Sequence, residues 1–103
     1  MRCYQTVRRT PLNELSIAEL GMLEIEHAMQ YVREVANEVR VKPWLTADRM
    51  RYPIGFFYGV RFAILAALRW GSTDYDEFDE LAARYASEAE FLSTEYLGIR
   101  RVS

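Results

Sequence analysis

The sequence predicts an all-α protein, a small helical bundle of three main helices plus a short connector helix, completed by homodimerisation. Three observations carry this. Stretches beginning at Ser16 and near Thr73 repeat apolar residues every three or four positions, the spacing of one helix face. Between them, Tyr52 to Trp70 is apolar nearly all round. Pro43, Pro53, Gly71 and Gly98 stand where helices of that spacing would stop or start.

At 103 residues, half of them hydrophobic and 27% charged, the chain reads as one domain, 1–103, able to bury a modest core without a disulfide or structural metal. Residues 1–15 form a basic N-terminal arm, "MRCYQTVRRTPLNEL", which lacks the apolar run of a signal peptide. The ends "CYQTVRR" and "GIRRVS", the latter being the basic tail 98–103, are short, basic and mildly β-prone, so they are expected to pair as two strands or to stay mobile. Cys3 is the single cysteine, which excludes an internal disulfide and fits a reducing, cytoplasmic location.

The first main helix opens at Ser16, where Glu19 three residues on gives the spacing of a capping box. Ile17, Gly21, Ile25, Ala28, Val32, Val35 and Val39 share its apolar side, with Glu19, Glu26, Gln30, Arg33 and Asn37 opposite. Pro43 ends it. The connector "KPWLTADRMRYP" holds one turn opening at Thr46 and closed by Pro53. The third main helix is capped by Thr73 or Asp74, stops at Gly98, and carries a heptad seam through Tyr75, Phe78, Ala82, Tyr85, Ala89, Leu92 and Tyr96.

Tyr52 to Trp70 has almost the length of a membrane span, which needs about 20 apolar residues. Arg61 near its middle weighs against that, at about 2.5–3.5 kcal/mol for an arginine at the centre of a span. The expected role is therefore the buried centre of the bundle. Gly55, Gly59, Ala63 and Ala66 would let another backbone approach, and Phe56, Phe57, Phe62, Ile64, Leu65 and Leu68 would fill the rest. Three helices cannot cover such a surface fully, so a second copy of the chain is the expected completion.

Chemistry is sparsely signalled. There is one histidine, no glycine-rich phosphate loop and no serine elbow, so no enzyme activity and no cofactor are expected. Glu24 and His27 have the Glu-x-x-His spacing of di-iron bundles, yet no second element accompanies them, and they remain weak metal candidates. Arg61 and Arg69 are candidate anchors for an anionic ligand or an ion pair. Asp74, Asp76, Glu77, Asp79 and Glu80 open a region, 74–97, with eight acids against Arg84 alone, a candidate surface for a basic protein partner. Scattered arginines in the ends and connector suit phosphate, but with net charge −2 and no recognition helix, nucleic acid is not an expected partner.

The function expected from these residues is a non-enzymatic, cytoplasmic, homodimeric protein that binds another protein as regulator, adaptor or inhibitor, of the kind a phage or mobile element encodes. A ligand- or metal-binding bundle is the first alternative, and a single-span membrane protein the second.

Overall fold

Ser16 begins the first long helix as its spacing predicts, with both bonds of the capping box formed. The Ser16 N–H donates to Glu19 Oε1 at 3.1 Å, and the Glu19 N–H donates to Ser16 Oγ at 3.2 Å. In the computed structural model the backbone is described for residues 4–42, 44 and 47–102, and side chains for 5–42, 44 and 48–93. Four helices follow one another: α1 Tyr4–Arg9, α2 Ile17–Val41, α3 Arg51–Ala67 and α4 Thr73–Val102. Short 3₁₀ turns at Leu12–Glu14 and Ala47–Met50 link them, and no strand occurs among the described residues.

Several boundaries differ from expectation. The arm is neither strand nor loose chain from Tyr4 on: it is the helix α1, whose Val7 is fully buried. Packing against α2 outweighs the β-preference of Thr6 and Val7. At the other end α4 runs through Gly98 to Val102, since glycine weakens a helix without breaking it. The cap of α4 is Ser72 rather than Thr73 or Asp74. Its Oγ accepts the Tyr75 N–H at 3.1 Å and donates to the Arg69 carbonyl at 2.6 Å. Gly71, at φ 80°, makes the left-handed step into that cap. The stop at Pro43, the turn opening at Thr46 and the seam residue Tyr96 lie outside the described residues or side chains.

The central helix is α2, not the apolar α3. Ile25, Ala28, Val32 and Val39 are buried as expected, and Ala18, Met22, Met29 and Ala36 widen the stripe enough to carry a neighbour on each side. Packed against it, α4 contributes Phe78, Ala82, Ala86 and Ala89, close to the expected seam. From α3 only Pro53 and Phe57 are buried, with Ile54, Tyr58, Val60, Ile64 and Leu65 half covered. A helix apolar all round needs neighbours on every side, and this chain has two other long helices to offer.

Close approach happens at Gly21 rather than at Gly55 or Gly59. A Cβ on Gly21 would stand 2.5 Å from Ile64 Cγ2 and 3.3 Å from Phe78 Cε2, so α2, α3 and α4 meet at this one residue. Nothing lies within 4 Å of a Cβ placed on Gly55 or Gly59.

Candidate functional site

Because α2 and α4 cover only one side of α3, the rest of its circumference faces outward. Tyr52, Gly55, Phe56, Gly59, Phe62, Ala63, Ala66 and Ala67 occupy this arc and all are exposed. Phe62 keeps 76% of its surface in solvent, Tyr52 70% and Phe56 45%. Steps of four residues run as rows along a helix surface, and here they alternate in height. The low row Gly55, Gly59, Ala63, Ala67 lies between a ridge of Tyr52, Phe56 and Val60 and a ridge of Tyr58, Phe62 and Ala66. Shallow hollows lined by Tyr58, Gly59, Arg61, Phe62 and Leu65, and by Phe62, Leu65, Ala66, Leu68, Trp70 and Tyr75, continue the surface toward α4.

Aromatic contacts hold the first ridge. Tyr31 of α2 meets Tyr52 edge-on at 6.0 Å and Phe56 at 6.2 Å, while Tyr52 and Phe56 stack at 6.4 Å. Beyond them, α2 presents the row Glu24, His27, Tyr31, Glu34 and Glu38, stepping by three and four. Glu38 is engaged by Arg49 at 3.1 Å and Lys42 at 3.8 Å. Exposed Glu24 and Glu34 carry no ion pair among the described residues.

The second ridge is tied to α4. The Tyr58 hydroxyl donates to Glu90 Oε1 at 3.0 Å, and Arg61 reaches Asp79 at 3.6 Å. Burial, and then the bond to Glu90, raise the Tyr58 pKa. Outside this seam α4 exposes Asp76, Glu80, Ala83 and Ser87. The face is therefore an apolar strip with exposed acids on either hand, Glu24 and Glu34 among Leu20, His27 and Tyr31 on α2, and Asp76 and Glu80 near the start of α4.

The α2–α4 contact has its own polar groups. Arg33 makes a two-bond pair with Glu88, at 2.6 and 3.1 Å, and its guanidinium pKa is raised by that hydrogen bond. The Tyr85 pKa is pushed up to about 12, first by burial and then by the neighbouring Glu26 carboxylate, whose Oε2 is buried without a hydrogen-bond partner. Arg33 also lies 5.7 Å from the Tyr85 ring centre. A shallow groove beside them, lined by Arg33, Ala36, Asn37, Arg40, Glu88 and Leu92, has its cations engaged, Arg33 by Glu88 and Arg40 by Asn37 at 2.8 Å. These groups fix the register of α4 against α2. They also correct the placement of Glu26 and Arg33 on a free polar side of α2, and Glu19, placed there too, is only 7% exposed beneath its capping box.

The residues singled out in the sequence are not brought to one place. Arg61 is an ion-pair partner of Asp79, while Arg69 stands exposed in the α3–α4 turn with its carbonyl bonded to Ser72. The acidic run winds round α4, so Asp79 faces α3, Asp76 and Glu80 face solvent, and half-buried Glu77 lies almost opposite Asp79. Glu24 and His27 are exposed on the outer row of α2, and no group of three His, Cys, Asp or Glu suited to a metal occurs among the described residues. Sequence reasoning missed that Phe56 and Phe62 face outward. Its signal was there: the apolar surface of Tyr52 to Trp70 exceeds what two neighbouring helices can cover.

No helix among the described residues is long and apolar enough to cross a membrane. Comparison of the chain with protein-family models, curated proteins and solved structures returned no match.

Proposed function

We propose that the protein is a non-enzymatic binding module of the cytoplasm, a regulator, adaptor or inhibitor that engages another protein through the outward face of α3. The observation that supports this reading is the continuity of the exposed apolar strip Tyr52, Phe56 and Phe62 along one helix face, whereas Leu12, Val41, Trp44 and Phe91 are exposed singly on other elements. Scattered exposed apolar residues are ordinary, whereas a contiguous strip rimmed by polar groups marks an interaction surface. A groove of small residues between two ridges is also the relief into which helix ridges pack. The ionisable groups nearest the face, Arg61, Asp79, Tyr58 and Glu90, are used to hold α3 against α4. They are assigned no catalytic part.

Self-association through the same face is the second reading, favoured by the open backbone at Gly55 and Gly59. Gly59→Gln separates surface from fold, because glutamine is a better helix former than glycine and fills the groove without adding charge. The expected result is an unchanged or higher melting temperature together with loss of partner capture. Capture that survives Gly59→Gln and also Phe62→Ser would remove α3 from the interface. Light scattering on a sizing column then decides between the readings. A wild-type dimer that becomes a monomer in Gly59→Gln gives the face to a second copy.

A further inference from the structure

We infer that the occupant of the α3 face is an amphipathic helix whose apolar stripe is bordered on both sides by lysine or arginine. This rests on the reading of that face as a protein-binding surface. The relief of the face calls for a helix. The low row Gly55, Gly59, Ala63, Ala67 extends over a little more than three turns between its ridges, and a ridge of residues four apart on a partner would seat in it at a crossing angle of about −50°.

The charge of the borders selects among helices. On the α4 side Asp76 and Glu80 are exposed, and on the α2 side so are Glu24 and Glu34; none has an ion pair among the described residues. Of the neighbouring cations Arg61 is matched by Asp79 and Arg49 by Glu38, while exposed Arg84, one turn beyond Glu80, offsets part of the charge of the α4 edge. Both long edges are thus left with unmatched negative charge, while Arg51 and Arg69 mark the two ends. A partner with positive flanks answers both edges at once.

The same charges disfavour the other occupants. A two-fold axis along α3 sets the α2 edge of one copy against the α4 edge of the other, and an axis across it sets each edge against itself. Acid meets acid in either arrangement, and the axis across α3 also brings Arg51 of one copy toward the Arg69 end of the other. An anionic lipid surface is repelled for the same reason.

The test uses the whole protein and two synthetic helices of about 18 residues that share a Leu/Ala stripe, one bordered by Lys and the other by Glu. Fluorescence anisotropy of labelled peptide is read at low and at physiological salt, beside light scattering of the protein alone. The expected result is a Lys-bordered helix bound at least about tenfold more tightly than the Glu-bordered one, weakened by salt. That preference should fall in Asp76→Lys/Glu80→Lys, and binding should be lost in Gly59→Gln. Equal binding of both peptides, lost in Gly59→Gln, overturns the border chemistry and leaves α3 a protein-binding face. A salt-insensitive wild-type dimer that takes neither peptide identifies a second copy as occupant and overturns the inference, as does co-sedimentation with anionic vesicles. A monomer that binds neither peptide overturns the inference and, if partner capture is also unaffected by Gly59→Gln, the reading beneath it.

Discussion

Phe57 and Phe62 sit five residues apart on α3, and truncating each in turn measures which way that helix faces. Phe57 has none of its surface exposed and packs among the core residues, with its ring 5.5 Å from that of Tyr58. Removing a wholly buried phenylalanine forfeits its transfer free energy and leaves a cavity, together about 3–5 kcal/mol. A chain of 103 residues has a total stability on the order of 5–15 kcal/mol, so Phe57→Ala should take away a large part of it. The melting temperature should fall by on the order of 20 °C. Phe62, 76% exposed, has no such environment, and Phe62→Ala should change stability by about 0.5 kcal/mol or less. The assay is thermal and urea unfolding followed by circular dichroism, at two protein concentrations. Losses of equal size at both positions, independent of concentration, would refute the orientation of α3. A loss at Phe62 that grows with concentration would instead mean that a second copy covers it.

The glycines give a parallel contrast. Gly59→Ala, with open space around the new methyl, should stabilise the protein by about 1 kcal/mol through helix propensity alone. Gly21→Ala gains the same propensity but drives its methyl into Ile64, whose branched side chain has little freedom in a helix, so a net loss of about 1–2 kcal/mol is expected in urea denaturation. A stabilised Gly21→Ala would show that the three helices do not meet there. Tyr85 titrates near 12 in the folded chain against about 10 when unfolded, so its stabilisation is complete below about pH 10 and is lost as pH rises through 12. Tyr85→Phe should cost about 1 kcal/mol at neutral pH and flatten the alkaline fall in stability; an unaltered alkaline curve would separate the hydroxyl from Glu26. A double-mutant cycle on Arg33 and Glu88 should return a coupling of about 0.5–1 kcal/mol, high for a half-exposed pair because two hydrogen bonds are made. A coupling of zero would mean the pair does not set the register of α4.

Two local signals in the sequence were legible. The capping box of Ser16 and Glu19 involves four consecutive residues, and the seam of α4 from Phe78 to Ala89 is a periodicity on one helix. The role of α3 was not legible, because centrality is a property of neighbours. Met22, Met29 and Ala36 sit beside the stripe traced from Ile17 to Val39, and only when α4 lies over them does α2 become the middle of the bundle. Ile17, at the head of the expected stripe, is itself exposed for the same reason: no neighbour reaches it. Ser72 was passed over as a cap because Thr73 and Asp74 have equally suitable side chains, and the choice among them is made by the turn at Gly71. Of the binding surface, the acids and the small residues were visible singly. Their arrangement as an apolar strip with exposed acids on both sides depends on how α2, α3 and α4 are rotated, which pairs such as Tyr58–Glu90 and Tyr31–Tyr52 decide.

In most proteins folding hides the stickiest segment, so precipitation follows the unfolded population. Here Phe56 and Phe62 remain in solvent after the chain has folded, and the native state itself carries the hazard. The exposed carboxylates beside the strip oppose its contact with another copy, and at about 0.1 M salt that repulsion is screened beyond about 10 Å. Shelf life should therefore shorten with ionic strength. Sucrose or sulfate, which raise the melting point of ordinary proteins by favouring compact states, favour burial of this strip as well, and would bring the folded protein out of solution sooner.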